Sequence, residues 1–195
     1  MHETQTVAID NDFLNHLLGI RKHPDLISLI KSFFNALCVV PVMHPLVYDR
    51  EAIIRPDKTR DVLFRDGTIS KVELVDILSS QDGGVQYYSL LIKDIYRQFM
   101  GKEYPCSDII NDWLAGQSLG EVHTVVMCAF LLYDCFLSDD GDAALKLQGI
   151  VNRRLNWSIA IYSRKNRCDY LRSLDISQRA GLTLNDLNKL SHSRE

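Results

Sequence analysis

The chain has 195 residues, 46% of them hydrophobic and 24% charged, with a formal net charge of −3 and five cysteines. That composition excludes extended disorder, and the length fits one ordinary domain able to bury roughly 70% of its unfolded surface without staples. No apolar run approaches the roughly 18 residues of a membrane span, and the N-terminal MHETQTVAID carries acids, so no signal peptide and a soluble, cytoplasmic protein are expected. The cysteines (38, 106, 128, 135, 168) are odd in number and form no CxxC pair, which speaks against a disulfide framework or a structural zinc site. A zinc site borrowing His123 and Cys128 is conceivable, but a five-residue separation is poor for one helix face.

The charge is unevenly spread. Residues 143–195 hold ten Lys and Arg against four acids, whereas residues 1–142 hold twelve against twenty-one. A basic end on an acidic body suits a polyanion-binding edge beside a metal-binding centre; a solvated helical face is the plainer alternative.

In chain order, Thr6–Asp10 reads as a buried strand, and Asp10-Asn11-Asp12 offers caps for a helix over 13–20. A helix over 26–37 and a strand over 38–43 follow, with LVYDREAI entering another helix. Residues 56–69 read as a polar loop or hairpin, then amphipathic helices at 70–80 and 85–100, and a short one at 107–115. A strong helix opens at Ser118 and runs to Leu132, before a short strand at 135–137 and the turn Ser138-Asp139-Asp140-Gly141-Asp142. A helix from Ala143, a strand at 157–162 and a last helix capped near Thr183 complete the chain. Alternating strands and helices predict an α/β fold with a mainly parallel sheet of four or five strands flanked by helices. The stretch 52–117 reads as a helical insert between the second and third strands, and 163–195 as a basic C-terminal extension of one domain spanning 1–195.

In such sheets the ligand site lies outside the carboxyl ends of the strands. Asp10 ends the first strand, Asp49 and Glu51 follow the second, Asp139, Asp140 and Asp142 follow the third, and Glu121 opens the helix leading into it. Carboxylates gathered at one edge repel, and a divalent cation relieves that repulsion. Oxygen-only ligands favour Mg²⁺ or Mn²⁺, and the chemistry they support is metal-assisted phosphodiester hydrolysis. Each acid has a structural alternative: Ser118-x-x-Glu121 fits a capping box, Asp12 fits a helix cap, Asp139 and Asp142 fit caps of the next helix, and Asp49 and Glu51 fit a surface. His44 and His123 have no paired nucleophile and read as core or surface residues.

At these positions the sequence resembles the PIN-like nuclease family, loosely over 5–162. VAIDNDFLNHLL is similar to its opening strand and helix, ALCVVPVMHPLVYDRE to its second strand and helix, and WSIAIYSRK to its closing strand. LGEVHTVVMCAFLLYDCFLSDDGDAALKL is the most specific match, a Gly-Glu helix start leading to a strand and an Asp-rich turn. The resemblance implies a Mg²⁺- or Mn²⁺-dependent endonuclease, most often of RNA, with many bacterial members acting as toxins paired with antitoxins. It implies Asp10, Asp49 (or, as a substitute, Glu51), Glu121 and Asp140 as metal ligands, with Asp142 in support.

On that reading Arg153, Arg154, Arg164, Lys165 and Arg167 contact phosphates, RNA or single-stranded DNA is the substrate, and an antitoxin or inhibitor protein or a second copy of the chain is the partner. The main alternative is a catalytically silent PIN-like binding module whose helical insert docks a partner through the aromatic segments 85–88 and 95–99; packing of the insert onto the core is the plainer reading of those aromatics. A phosphatase or a receiver-like α/β domain with Lys165 near a strand end is the third.

Overall fold

A computed structural model describes residues 4–20, 23–53, 57–110, 118–155 and 157–192. Five strands form one all-parallel sheet in the order β3-β2-β1-β4-β5. They are β1 (Gln5–Ile9), β2 (Val39–Met43), β3 (Ser70–Lys71), β4 (Cys135–Leu137) and β5 (Ala160–Tyr162). Helices α1 (Asn11–Leu18) and α2 (Leu26–Ala36) join β1 to β2. A short α3 (Pro45–Val47) runs on as a π-helical turn, Tyr48–Ala52, and α4 (Lys58–Arg65) leads to β3. Between β3 and β4 lie α5 (Leu74–Ser79), α6 (Gly84–Met100) and α7 (Leu119–Leu131). Then come α8 (Gly141–Leu155) before β5, and α9 (Arg164–Ser173) and α10 (Leu184–Ser191) after it.

The sheet divides the core in two because successive side chains on a strand face opposite ways. Ala8, Val42 and Phe136 face α5 to α8, packing with Tyr88, Ile92, Val122 and Leu147. Val7, Ile9, Met43, Cys135 and Leu137 face the other layer, with Phe13 and Leu17 of α1, Phe33 of α2, Leu63 of α4, Leu171 of α9 and Leu187 of α10. Val7, Ala8 and Ile9 are all fully buried, the continuous apolar run of a parallel strand covered on both faces. Emptying one such position, for example Phe136→Ala, removes about 3–5 kcal/mol.

The stretch 56–69, expected as a polar loop or hairpin, holds helix α4 (Lys58–Arg65). The stretch 52–117 is not an all-helical insert, because Ser70–Lys71 pairs with Val42–Met43 as an edge strand. Of its aromatic segments, Tyr88, Ile95, Tyr96 and Phe99 are buried in the core, while Val85 and Tyr87 are exposed, Tyr87 stacking on Phe130 with 5.5 Å between ring centroids. The helix expected over 107–115 runs into 111–117, outside the described residues. In the C-terminal extension Cys168, Leu171, Leu187 and Leu190 are buried in the core layer that holds α1. Among the described residues no helix is long and apolar enough to cross a membrane.

Candidate functional site

The strand order reverses direction between β1 and β4, since β2 and β3 lie on one side of β1 and β4 and β5 on the other. At such a switch the flanking loops part and leave a crevice beyond the carboxyl ends of the strands. Asp10 sits there. Its backbone N–H continues the ladder to Leu137 O at 3.2 Å, and its Oδ1 caps α1 by accepting from Phe13 N at 2.6 Å. Only 4% of the residue is exposed, and its Oδ2 has no hydrogen-bond partner among the described residues. The neighbouring Asn11 Oδ1 is buried and unpartnered in the same way. An unsatisfied buried carboxylate oxygen is expensive, which makes this pair the strongest sign of a missing ligand.

Asp10, Asn11, Asp12, Val47, Glu51, Gly120 and Glu121 line one small cavity of about 40 Å³. Glu51 reaches it through the turn after β2. Val47 and Glu51 are four residues apart and share a face of that turn, whereas Asp49, two residues on from Val47, points away. Asp49 is exposed and lies 3.5 Å from Lys71 Nζ, so the second acid of the cavity is Glu51 and not Asp49. Gly120 makes room for it: a Cβ there would stand 2.8 Å from Glu51 Oε1 and 3.2 Å from Val47 Cγ2.

Glu121 enters from the first turn of α7. The capping box expected at Ser118 does not form, because Ser118 adopts a left-handed backbone (φ 63°) and makes no side-chain cap. Glu121 is thereby released from a capping role. Asp12 is not the cap of α1 either, since Asp10 is, and it stands on the exposed rim. Asp140 is exposed on the loop after β4, close enough for its charge to raise the pKa of Glu121. Asp142 lies in α8, and its side chain falls outside the described residues. Asp139 is committed elsewhere, hydrogen-bonded to His16 at 2.8 Å and to Arg164.

Burial and mutual repulsion raise the affinity of these acids for protons. Desolvation, then the charges of Glu121 and Asp12, push Glu51 up to about 7. Burial raises Glu121, reinforced by Asp12 and Asp140 and opposed by a backbone N–H. Asp10 is held well above the usual carboxylate range, mainly by burial, against the lowering pull of the Ser138 hydroxyl and the Phe13 N–H. Three carboxyls in one crevice reluctant to ionise together are the electrostatic counterpart of a cation site.

The basic residues divide. Arg164 is corrected from a surface phosphate contact to a buried structural group, 3% exposed, paired with Asp139 and donating to Leu190 O at 2.7 Å. Arg167 lies over the Tyr162 ring at 3.6 Å and donates to Cys135 Sγ. Arg154 is paired with Asp94, while Arg153 and Lys165 are exposed. His44 and His123 are core residues, joined through Tyr88: its hydroxyl lies 2.8 Å from His44 Nε2 and 2.7 Å from His123 Nδ1, and Tyr104 Oη is 3.0 Å from His123 Nε2. Apart from the notice of His44 and His123 as core candidates, sequence patterning carries no signal for this network.

The donor set is all oxygen, as Mg²⁺ or Mn²⁺ prefer, and the cavity exceeds the roughly 30 Å³ that one water occupies. Among the described residues no three His, Cys, Asp or Glu side chains stand close enough together to hold a metal ion as they are placed. Holding one would require Glu51 and Glu121 to turn toward the buried Asp10 Oδ2. Comparison of the chain with protein-family models, with curated proteins and with solved structures finds no match.

Proposed function

We propose that this protein is a divalent-metal-dependent phosphodiesterase of PIN-like type, an endonuclease acting on RNA. The observation that carries the reading is the buried, unpartnered Oδ2 of Asp10, a residue that lines one cavity with Glu51 and Glu121 at the switch point of a parallel sheet. A bound Mg²⁺ or Mn²⁺ would satisfy that oxygen, offset the repulsion among the acids and supply an acidified water.

The chain's own residues have distinct parts. Asp10 is the fixed ligand, locked by its cap on α1. Glu51 and Glu121 are the adjustable ones, carried on the turn after β2 and on the first turn of α7. Asp12 lines the exposed mouth, and Asp140 is exposed and bears on Glu121 by its charge; both would take outer positions through water, with Asp142 of α8 near Asp140 in the chain. Arg153 and Lys165 remain as exposed cations for phosphate contact. The choice of RNA over DNA, an antitoxin or inhibitor protein as partner and the pairing of two copies rest on the family resemblance.

The test is cleavage of labelled single-stranded RNA and DNA with Mn²⁺, Mg²⁺ or EDTA, with Asp10→Asn and Glu121→Gln as controls. Cutting that needs the metal and both acids supports the reading. No cutting, together with no metal-dependent rise in melting temperature, refutes it.

A further inference from the structure

The imidazole of His16 and the carboxylate of Asp139 meet across 123 residues, Nδ1 to Oδ2 at 2.8 Å. Asp139 is the fixed partner. Its side chain is 9% exposed, its Oδ1 accepts the Arg164 backbone N–H at 2.8 Å, and the Arg164 guanidinium, itself 4% exposed, binds its Oδ2. His16 is the free one, 31% exposed on the last turn of α1. A carboxylate facing Nδ1 fixes the proton there and leaves Nε2 as the working nitrogen. Nε2 makes no hydrogen bond among the described residues.

On both of its elements the dyad is close in the chain to residues of the acid site. His16 follows Asp12 by four residues, so it lies on the same face of α1 about 6 Å further along the axis. Asp139 immediately precedes Asp140, whose charge bears on Glu121. The charge of Arg164 is already met by Asp139, so the ion pair does not depend on the imidazole.

We infer that His16 is the proton donor to the leaving oxygen of the scissile phosphodiester, with Asp139 as its positioning residue; this rests on the hydrolase reading above. Water adds to phosphorus and loses a proton at the acid cavity. The bond from phosphorus to the leaving oxygen breaks, and its electron pair stays on that oxygen. The Nε2 proton moves to it, giving a free hydroxyl end and a neutral imidazole that solvent reprotonates. The acids already serve the attacking water, and the group lacking on the acid side of the reaction is the one His16 provides.

The experiment compares wild type and His16→Gln in Mn²⁺ on two substrates: the nucleic acid strand, whose leaving alkoxide needs a proton, and bis(4-nitrophenyl) phosphate, whose leaving group does not. Expected is a loss of about 10²–10³-fold on the strand, a change of less than about threefold on the nitrophenyl ester, and partial recovery of His16→Ala by added imidazole. His16→Gln keeps the Asp139–Arg164 pair, so a melting temperature and a Mn²⁺-induced shift equal to wild type show that fold and metal site are intact. Equal losses on both substrates, or an undiminished rate on the strand, overturn the inference and leave the hydrolase reading standing. A wild type that cuts neither substrate removes both.

Discussion

The carboxylate of Glu51 occupies the space that a side chain at Gly120 would fill, with Oε1 2.8 Å from where the Cβ would be. The absence of a methyl group on α7 therefore sets how closely two acids of different segments approach. Gly120→Ala forces the far end of a flexible side chain aside, a small strain that the better helix propensity of Ala offsets by up to about 1 kcal/mol. The variant should fold with a melting temperature near wild type but lose most of its Mn²⁺-induced stabilisation. Thermal denaturation with and without the metal reads both.

Glu51 itself should destabilise the metal-free protein. Its folded-state pKa of about 7 lies above the 4.5 of the unfolded chain, so the stability linked to its protonation is complete below pH 4.5 and is lost as pH rises through 7. Glu51→Gln removes that loss. At pH 8 without metal it should be more stable than wild type by about 1–2 kcal/mol once solvent screening is allowed for, a few degrees in Tm. It should also be inactive. A residue kept for packing alone would show the opposite stability change.

The buried histidines give an opposing slope. Burial pulls His44 down to about 3 and His123 well below its ordinary value. Both are neutral in the folded protein while the unfolded chain protonates them below about 6.5. Their stability is present above pH 6.5 and is lost as pH falls below it, for His44 down to about 3, at about 1.4 kcal/mol per pH unit for each ring. Urea denaturation between pH 7.5 and 5.5 should show this loss, and His44→Gln should flatten the slope by about one proton.

Arg164 and Lys165 are neighbours with different fates. Removing the buried guanidinium in Arg164→Gln leaves the Asp139 carboxylate without its cation and should destabilise by about 3–5 kcal/mol, roughly 10 °C in Tm. Lys165→Gln is exposed and should leave Tm unchanged. If Lys165 neutralises a phosphate, the salt dependence of nucleic acid binding should fall by about one counterion in the same variant.

Where burial is two-sided the residue pattern shows it: Val7, Ala8 and Ile9 read as a buried strand, and Asp10 as its terminal acid, from the run TVAID alone. The edge strand β3 escapes such reading because two polar residues, Ser70 and Lys71, bear no alternation. A short edge carrying Lys also discourages pairing with another chain. The choice between Asp49 and Glu51 turns on a π-helical turn, in which Ile53 N bonds to Tyr48 O five residues back, and side-chain spacing cannot reveal that hydrogen bond. Ser118 has the residues of a capping box and the backbone of none, and the tie between His16 and Asp139 belongs wholly to the folded topology.

The placement of β1 has a consequence for when the site can exist. β1 is the central strand, and one of its neighbours, β4, comes about 130 residues later in the chain. During synthesis the crevice beside Asp10 has only one wall until residues 135–140 emerge, and Glu121 has no place to stand before α7 closes over the sheet. Long-range parallel pairing is slow to form, so the acids come together only at a late stage of folding. Nascent chains should carry no cation-dependent activity, and a truncation ending before β4 should retain none however much helix it forms.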